Sequence, residues 1–165
     1  MTYLLTNLYR HHRWATLTLF DFCAGLDGGV LEQAAPGVYG SIADTWRHIA
    51  RGERNYLHAI DGTPRDTDRF IEPPMPLAQV RAELDRSTGE LLDWLGRVGE
   101  GDTFQAEWGG QQWQLPKMVP LLQAIEHGTE HRTNITTVLQ AGGIEAPQID
   151  FWAYAQVLAT DDQPA

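Results

Sequence analysis

Residues 3–26, YLLTNLYRHHRWATLTLFDFCAGL, decide the fold because their apolar positions follow one face of a helix. Spacings of three and four residues join Leu5, Leu8, His12, Ala15, Leu19, Phe22 and Leu26. Such a stripe is typical of an amphipathic helix that packs against a core. Glycines follow at 25, 28 and 29, so we expect the helix to end near residue 26.

Two more helices are predicted from the middle of the chain. Ser41 can cap one of them, with Asp44 in the capping-box position where Glu is preferred. The sequence GTPRD (62–66) is expected to end that helix, and the proline-rich segment DRFIEPPMP (68–76) to follow as a connection. Apolar periodicity then predicts a third helix from about Leu77 to Val98.

The last third of the chain combines a hairpin with a fourth long helix. Gly109-Gly110 separates two stretches that bear Phe104, Trp108 and Trp113, which predicts a small β-hairpin. The long helix is expected from about Pro116 to Ala141, and a short one over residues 149–158. Four long helices predict an all-α four-helix bundle, whose longer connections leave room for a crossover. We assign residues 1–160 to this single domain and 161–165 to a flexible tail.

Composition narrows the function classes. The chain has 165 residues, 42% of them hydrophobic, so it can bury a core of its own. Its formal net charge is -10 with only 12 Lys and Arg, which argues against nucleic acid as a partner. No apolar run approaches the roughly 18 residues that a membrane span needs. The one cysteine, Cys23, excludes an intrachain disulfide, and we expect a cytoplasmic protein.

The stretch AIEHGTEHR, residues 124–132, places His127 and His131 one helical turn apart among apolar and small neighbours. Side chains at that spacing share a face, so one metal ion can bridge them. His48 in the second helix lies between the small residues Thr45 and Gly52 and adds a third imidazole. Three imidazoles leave a position open for water, substrate or a thiolate, as in catalytic metal sites. The alternative is that these histidines only bond backbone carbonyls in a core.

Other polar residues have weaker patterns. His12 interrupts the apolar stripe, and we interpret it as a core histidine in preference to a partner of the site or a substrate contact. Glu53 is a candidate base, although a solvated position is favoured, and His11 is expected to face solvent. Gly128 follows His127 where the zinc-protease motif needs a glutamate, so we reject that reading.

Three segments together resemble the DinB-like family, also called DinB/YfiT. HGTEHRTNITTVLQAGG (127–143) resembles its closing motif of two histidines one turn apart, then Arg, a polar residue, an apolar run and a glycine. SIADTWRHIARGERNY (41–56) resembles its middle motif with one histidine. LYRHHRWATLTLFDFCAGL (8–26) is similar to its first helix, which often carries a Trp-Ala pair. His12 stands where the family commonly has asparagine.

This resemblance implies a bundle with up-down-down-up connectivity and a divalent metal, nickel or zinc, held by His48, His127 and His131. It also implies a homodimer. Relatives with assigned activities include S-transferases and isomerases that use low-molecular-weight thiols such as bacillithiol, mycothiol or glutathione. Others are known only as damage-inducible or stress proteins.

Three hypotheses about function follow. The first is a metal-dependent enzyme acting on a small molecule, as a thiol-dependent S-transferase or a metal-assisted hydrolase, in which His12 or Glu53 moves a proton. The second is a non-catalytic metal- or ligand-binding stress protein. The third is a structural bundle whose histidines hold no metal.

Overall fold

The computed structural model describes residues 2–63 and 73–161. Along these ranges the elements are α1 (Thr2–Ala24), α2 (Gly28–Leu31), α3 (Ile42–Asp61), α4 (Leu77–Trp94), β1 (Thr103–Trp108), β2 (Gln111–Pro116), α5 (Met118–Ala141) and α6 (Phe151–Asp161). The all-α prediction with a small hairpin is therefore confirmed. Most of the predicted connection 68–76 and of the predicted tail 161–165 lies outside the described residues.

Several predicted boundaries match the structure. Ser41 caps α3, and its hydroxyl accepts a hydrogen bond from the Asp44 amide at 3.1 Å. Gly62 ends α3 in the left-handed conformation with φ 72°, which glycine adopts without steric cost. In the hairpin, Gly109 and Gly110 have φ of 58° and 76°, as a tight two-residue turn between antiparallel strands requires.

Other boundaries differ. The third long helix, α4, ends at Trp94 instead of Val98. The fourth, α5, begins at Met118 because Pro116 still pairs with Thr103 in the hairpin. The short helix α2 was not predicted, and Asp27 caps it by accepting from the Gly29 amide at 2.7 Å.

Contacts between helices give their directions. Along α1 and α5, His12 lies beside Gly128 and Thr16 bonds Arg132, so these helices run parallel. Arg13 bonds Asp85 on α4, and Asp21 further along α1 bonds the earlier Arg81, so α1 and α4 are antiparallel.

Along α3, Arg47 bonds the Met75 carbonyl just before α4, and Arg54 bonds Glu83 within α4, so α3 and α4 are parallel. On its other side α3 runs antiparallel to α5, because His48 lies by His131 and Gly52 by His127. The directions confirm up-down-down-up connectivity. Since α1 and α3 each pack between α4 and α5, they lie across the diagonal of the bundle.

Two apolar clusters fill the bundle at different heights. One is built around Leu19, Trp46, Leu84 and Leu139, the other around Tyr9, Leu57, Leu91 and Leu121. Between them lies a level of buried polar side chains, here named the mid-bundle layer: His12, Thr16, Glu53, Ser87 and Arg132. None of the described helices combines the length and apolar character needed to cross a membrane.

Candidate metal centre

The antiparallel seam of α3 and α5 brings together the three histidines that the sequence predicts as metal ligands. His48 comes from α3, and His127 and His131 come from successive turns of α5. One ring nitrogen of each lies within 4.8 Å of the others, and the Nε2 atoms of His48 and His127 are 2.9 Å apart. Nitrogens this close fit a single ion with metal–nitrogen bonds of about 2.0–2.1 Å. The three side chains, the histidine triad below, are therefore positioned to hold a metal ion.

A glycine on α3 makes room for one ring of the triad. A Cβ atom built on Gly52 would lie 2.7 Å from Cε1 and 3.2 Å from Nδ1 of His127. Side-chain carbons do not approach ring atoms that closely, so any larger residue at Gly52 would displace the imidazole. The sequence interpretation of Gly52 as a small residue that leaves space beside the site is thus confirmed.

Aromatic rings hold the other side of the triad. Tyr39, from the loop before α3, stacks on His48 with ring centroids 3.9 Å apart and planes at 21°. The same tyrosine meets His131 edge-on at 5.3 Å. Its backbone amide donates to the Asn134 side chain on α5 at 3.2 Å, which fixes this part of the loop to the bundle. Packing thus restricts the rotamers of His48 and His131 before any ligand binds.

The surroundings favour the neutral form of His48 and His127. Burial, then the neighbouring His131, lower the pKa of His48 to about 4, and the same two causes lower that of His127 to about 3. Neutral imidazoles carry the free lone pair that a metal ligand needs. The Nδ1 atoms of all three histidines are buried and have no hydrogen-bond partner within residues 2–63 and 73–161. No carboxylate or carbonyl there orients these rings, so packing against Tyr39 and Gly52 does so instead.

Behind the triad, the mid-bundle layer forms a hydrogen-bonded chain. Arg132 Nη1 lies 3.1 Å from His12 Nδ1, and a guanidinium can only donate, so Nδ1 carries no proton. The proton of the neutral ring is then on Nε2, which donates to Glu53 Oε1 at 3.1 Å. Ser87 donates to the other carboxylate oxygen, and Arg132 also donates to Thr16 at 2.9 Å. Side chains from all four long helices thus join a single chain of bonds.

The positions of Glu53 and His11 correct two expectations. Glu53 was expected to be solvated, but only 1% of its side chain is exposed because His12 and Ser87 enclose the carboxylate. His11 was expected to face solvent, but it is buried. Its Nε2 lies 2.8 Å from the Ile149 carbonyl, and its ring stacks on Phe151 at 4.0 Å. The segment around α6 covers this face of α1.

His12 is fully buried, which agrees with its interpretation as a core histidine. Among the described residues no hydrogen bond joins the mid-bundle layer to the triad. Proton transfer by His12 or Glu53 therefore stays a prediction.

No role was predicted from the sequence for several residues of the site region, among them Tyr39, Ser87 and Arg132, although the Arg that follows the two histidines was noted in the family motif. Ser87 stands on the apolar stripe of α4, three residues after Leu84 and four before Leu91. Arg132 likewise stands on the buried face of α5. A polar residue on an apolar stripe is a usable signal for a buried polar layer, since each such group needs a partner there.

The chain is similar in sequence to a known family and to a curated protein. A family model described as the DinB family matches residues 1–162. Among curated proteins, the chain is similar to Protein DinB of Bacillus subtilis (strain 168), with 21% identity over 173 aligned residues. The alignment covers 94% of this chain and 95% of that protein.

Proposed function

The chain belongs to the DinB family, and from that premise we propose that it binds a divalent metal ion through His48, His127 and His131 and uses it in thiol-dependent chemistry on a small molecule. The observation that carries the proposal is the convergence of three ring nitrogens within 4.8 Å on the α3–α5 seam. Nickel and zinc are the ions that the family resemblance implies, and imidazole nitrogens suit both.

A divalent ion in this position lowers the pKa of a bound thiol or water and so supplies a nucleophile near neutral pH. The residues of the chain contribute position and charge. The three imidazoles would hold the ion as neutral ligands and would therefore not reduce its charge. Tyr39 and Gly52 restrict the rings to orientations in which their nitrogens converge.

The favoured reaction is S-transfer. The sulfur of a low-molecular-weight thiol forms a bond to an electrophilic carbon of the substrate, the leaving group departs with its electron pair, and the thiol proton passes to solvent or a base. In the neighbouring hydrolytic version, a water oxygen takes the place of the sulfur. Glu53 and His12 are the candidate bases, and both lie behind the triad in the mid-bundle layer.

Two features of the proposal rest on the family resemblance alone. These are a homodimeric assembly and a role in the response to stress. The alternative function, a non-catalytic metal- or ligand-binding stress protein, uses the same triad but predicts no turnover.

The first experiment is elemental analysis of untagged protein, wild type beside His127→Ala. We expect about one equivalent of metal in the wild type and its loss in the variant, because two imidazoles seldom retain an ion. Wild-type protein that is metal-free and refuses added zinc and nickel would contradict the proposal. Loaded protein is then screened for consumption of a chlorinated nitroarene with glutathione, bacillithiol or mycothiol. Stoichiometric metal without turnover of any thiol or ester substrate favours the non-catalytic alternative.

A further inference from the structure

An open pocket adjoins the histidine triad on its α3 side. Its volume is about 430 Å³, within the range of roughly 300–1,000 Å³ that small-molecule sites occupy. The wall is formed by Tyr39, Gly40, Asp44, Arg47, His48, Arg51 and Pro74. His48 belongs to both the triad and this wall, so a ligand in the pocket lies beside one of the three proposed metal ligands.

One face of α3 supplies the charged part of the wall. Asp44, Arg47, His48 and Arg51 follow the spacing i, i+3, i+4, i+7, which aligns their side chains along one stripe of the helix. Arg51 is three residues after His48, a rise of about 4.5 Å along the axis. In a ligand that contacts both places, the group bound by Arg51 would therefore be only a few covalent bonds from the atom at the triad.

The two arginines differ in what they already bind. Arg47 donates from Nη1 to Asp44 and from Nε to the Met75 carbonyl, each at 3.0 Å. Arg51 has no hydrogen bond or ion pair with the residues that the structure describes.

The described wall of the pocket carries positive charge, whereas the protein as a whole is negatively charged. Among the residues that the structure describes, two arginines and one aspartate line the pocket, and the aspartate is already paired with Arg47. The remaining positive charge of Arg51 stands in a chain whose formal net charge is -10. Such a local positive site selects an anionic group and disfavours a cationic one.

We propose that this pocket receives the carboxylate of a small organic substrate or thiol, and that the Arg51 guanidinium is the group that binds it. The planar guanidinium matches a carboxylate in two parallel charge-assisted hydrogen bonds. The inference rests on the proposed function, because the end of the ligand that is not the carboxylate would meet the metal at the triad. It adds the substrate class: a short molecule with its reactive atom a few bonds from a carboxylate.

The experiment follows the Nε–H resonance of Arg51 by ¹⁵N NMR, assigned by its loss in Arg51→Gln. Mercaptopropionate is titrated into zinc-loaded and zinc-free protein, beside its uncharged amide, mercaptopropionamide. Hydrogen bonds to charged groups contribute about 1.5–3 kcal/mol, which corresponds to roughly tenfold or more in affinity. We therefore expect the acid to bind the zinc-loaded protein roughly tenfold tighter than the amide and to shift the Arg51 resonance.

The variants separate a specific contact from a general charge effect. Arg51→Gln should lose the preference for the acid and leave amide binding unchanged, and Arg51→Lys should restore part of it. Arg10→Gln removes the same charge from an exposed position on α1 and should keep the full preference. An equal preference in Arg51→Gln and wild type would overturn the inference.

The imidazole resonances distinguish the two proposals. If zinc and the thiol shift the triad signals while Arg51 stays unmoved by the acid, the pocket inference fails and the metal proposal stands. If the acid shifts Arg51 in zinc-free protein and zinc shifts no triad signal, the pocket inference stands and the metal proposal fails.

Discussion

The imidazole of His12 on α1 donates a hydrogen bond to the carboxylate of Glu53 on α3, Nε2 to Oε1 at 3.1 Å, across the diagonal of the bundle. Arg132 donates to the opposite ring nitrogen of His12. The neutral His12 ring therefore lies between the buried negative carboxylate of Glu53 and the buried positive guanidinium of Arg132. The two charges balance only while Glu53 and Arg132 are both present. Removing either one therefore leaves the other uncompensated in the core.

We expect Glu53→Gln to lower the free energy of unfolding by about 3 kcal/mol, since loss of one member of a buried charged network leaves the other uncompensated. Urea denaturation measures this. The matched control is Glu126→Gln on the exposed face of α5, which should stay within about 0.5 kcal/mol of wild type. Equal midpoints for the Glu53 variant and the control would show that the layer contributes nothing to stability.

His12 and Glu53 should also be energetically coupled. In a double-mutant cycle with His12→Ala and Glu53→Gln, the combined loss should differ from the sum of the single losses by about 0.5–3 kcal/mol, the range for residues in one hydrogen-bond network. Additive losses would mean that the two side chains act independently.

Stability of the metal-free protein should fall in mild acid. Burial is the largest cause that lowers the pKa of both His11 and His12; for His12 the Arg132 charge adds to it, and the bond to Glu53 opposes it. Below the unfolded value of about 6.5, the unfolded chain takes up protons that these folded histidines resist. The contribution of His11 and His12 to the free energy of unfolding is complete above that pH. It is lost as the pH falls towards the lowered pKa values that these two histidines have in the folded state.

Urea midpoints measured between about pH 7.5 and 5 test this, because each such histidine adds up to about 1.4 kcal/mol per pH unit to the slope. His11→Gln should give a shallower slope than wild type. A slope that is unchanged in the variant would mean that His11 takes up a proton as easily in the folded state as in the unfolded one.

Gly52→Ala should weaken metal binding without unfolding the bundle. The new Cβ would displace the His127 ring, which it would approach to 2.7 Å, and disturbing what orients a ligand typically costs on the order of 10–100-fold in metal affinity. Competition with a chelating dye measures the affinity for zinc. Gly89→Ala on α4 is the control, because its Cβ would meet nothing within 4 Å. It should leave zinc affinity unchanged and stabilise the helix by up to about 1 kcal/mol.

Added zinc or nickel should raise the melting temperature of the wild type. An ion at about 100 times its dissociation constant stabilises the folded state by roughly 2.7 kcal/mol, or several degrees for a chain of this size. The variant in which His48, His127 and His131 are all alanine should show no such rise. A similar rise in both proteins would place the binding elsewhere.

The helices and the triad could be predicted from the sequence because both depend on local spacing. His127 and His131 share a helix face whatever surrounds them, and Gly52 indicates open space one turn from His48. The burial of Glu53 could not be predicted, because its partners His12 and Ser87 come from other helices whose register depends on packing.

The other differences have similar physical causes. His11 is buried by α6, a segment roughly 140 residues away in the sequence whose docking site no local pattern gives. The short helix α2 has too few residues for a periodic pattern, and only the Asp27 cap indicates it.

The close contact between Gly128 and His12 limits the substitutions that α5 can accept at residue 128. The segment HGTEH differs from the zinc-protease pattern only at residue 128, where that pattern has glutamate. A Cβ at Gly128 would lie 2.5 Å from Cε1 of the buried His12 ring. The single substitution Gly128→Glu would complete the zinc-protease pattern in the sequence. Its side chain would, however, clash with α1, so its carboxylate would not reach the metal site. Whether a peptidase-like arrangement can form here therefore depends on residue 12 of another helix as well as on residue 128.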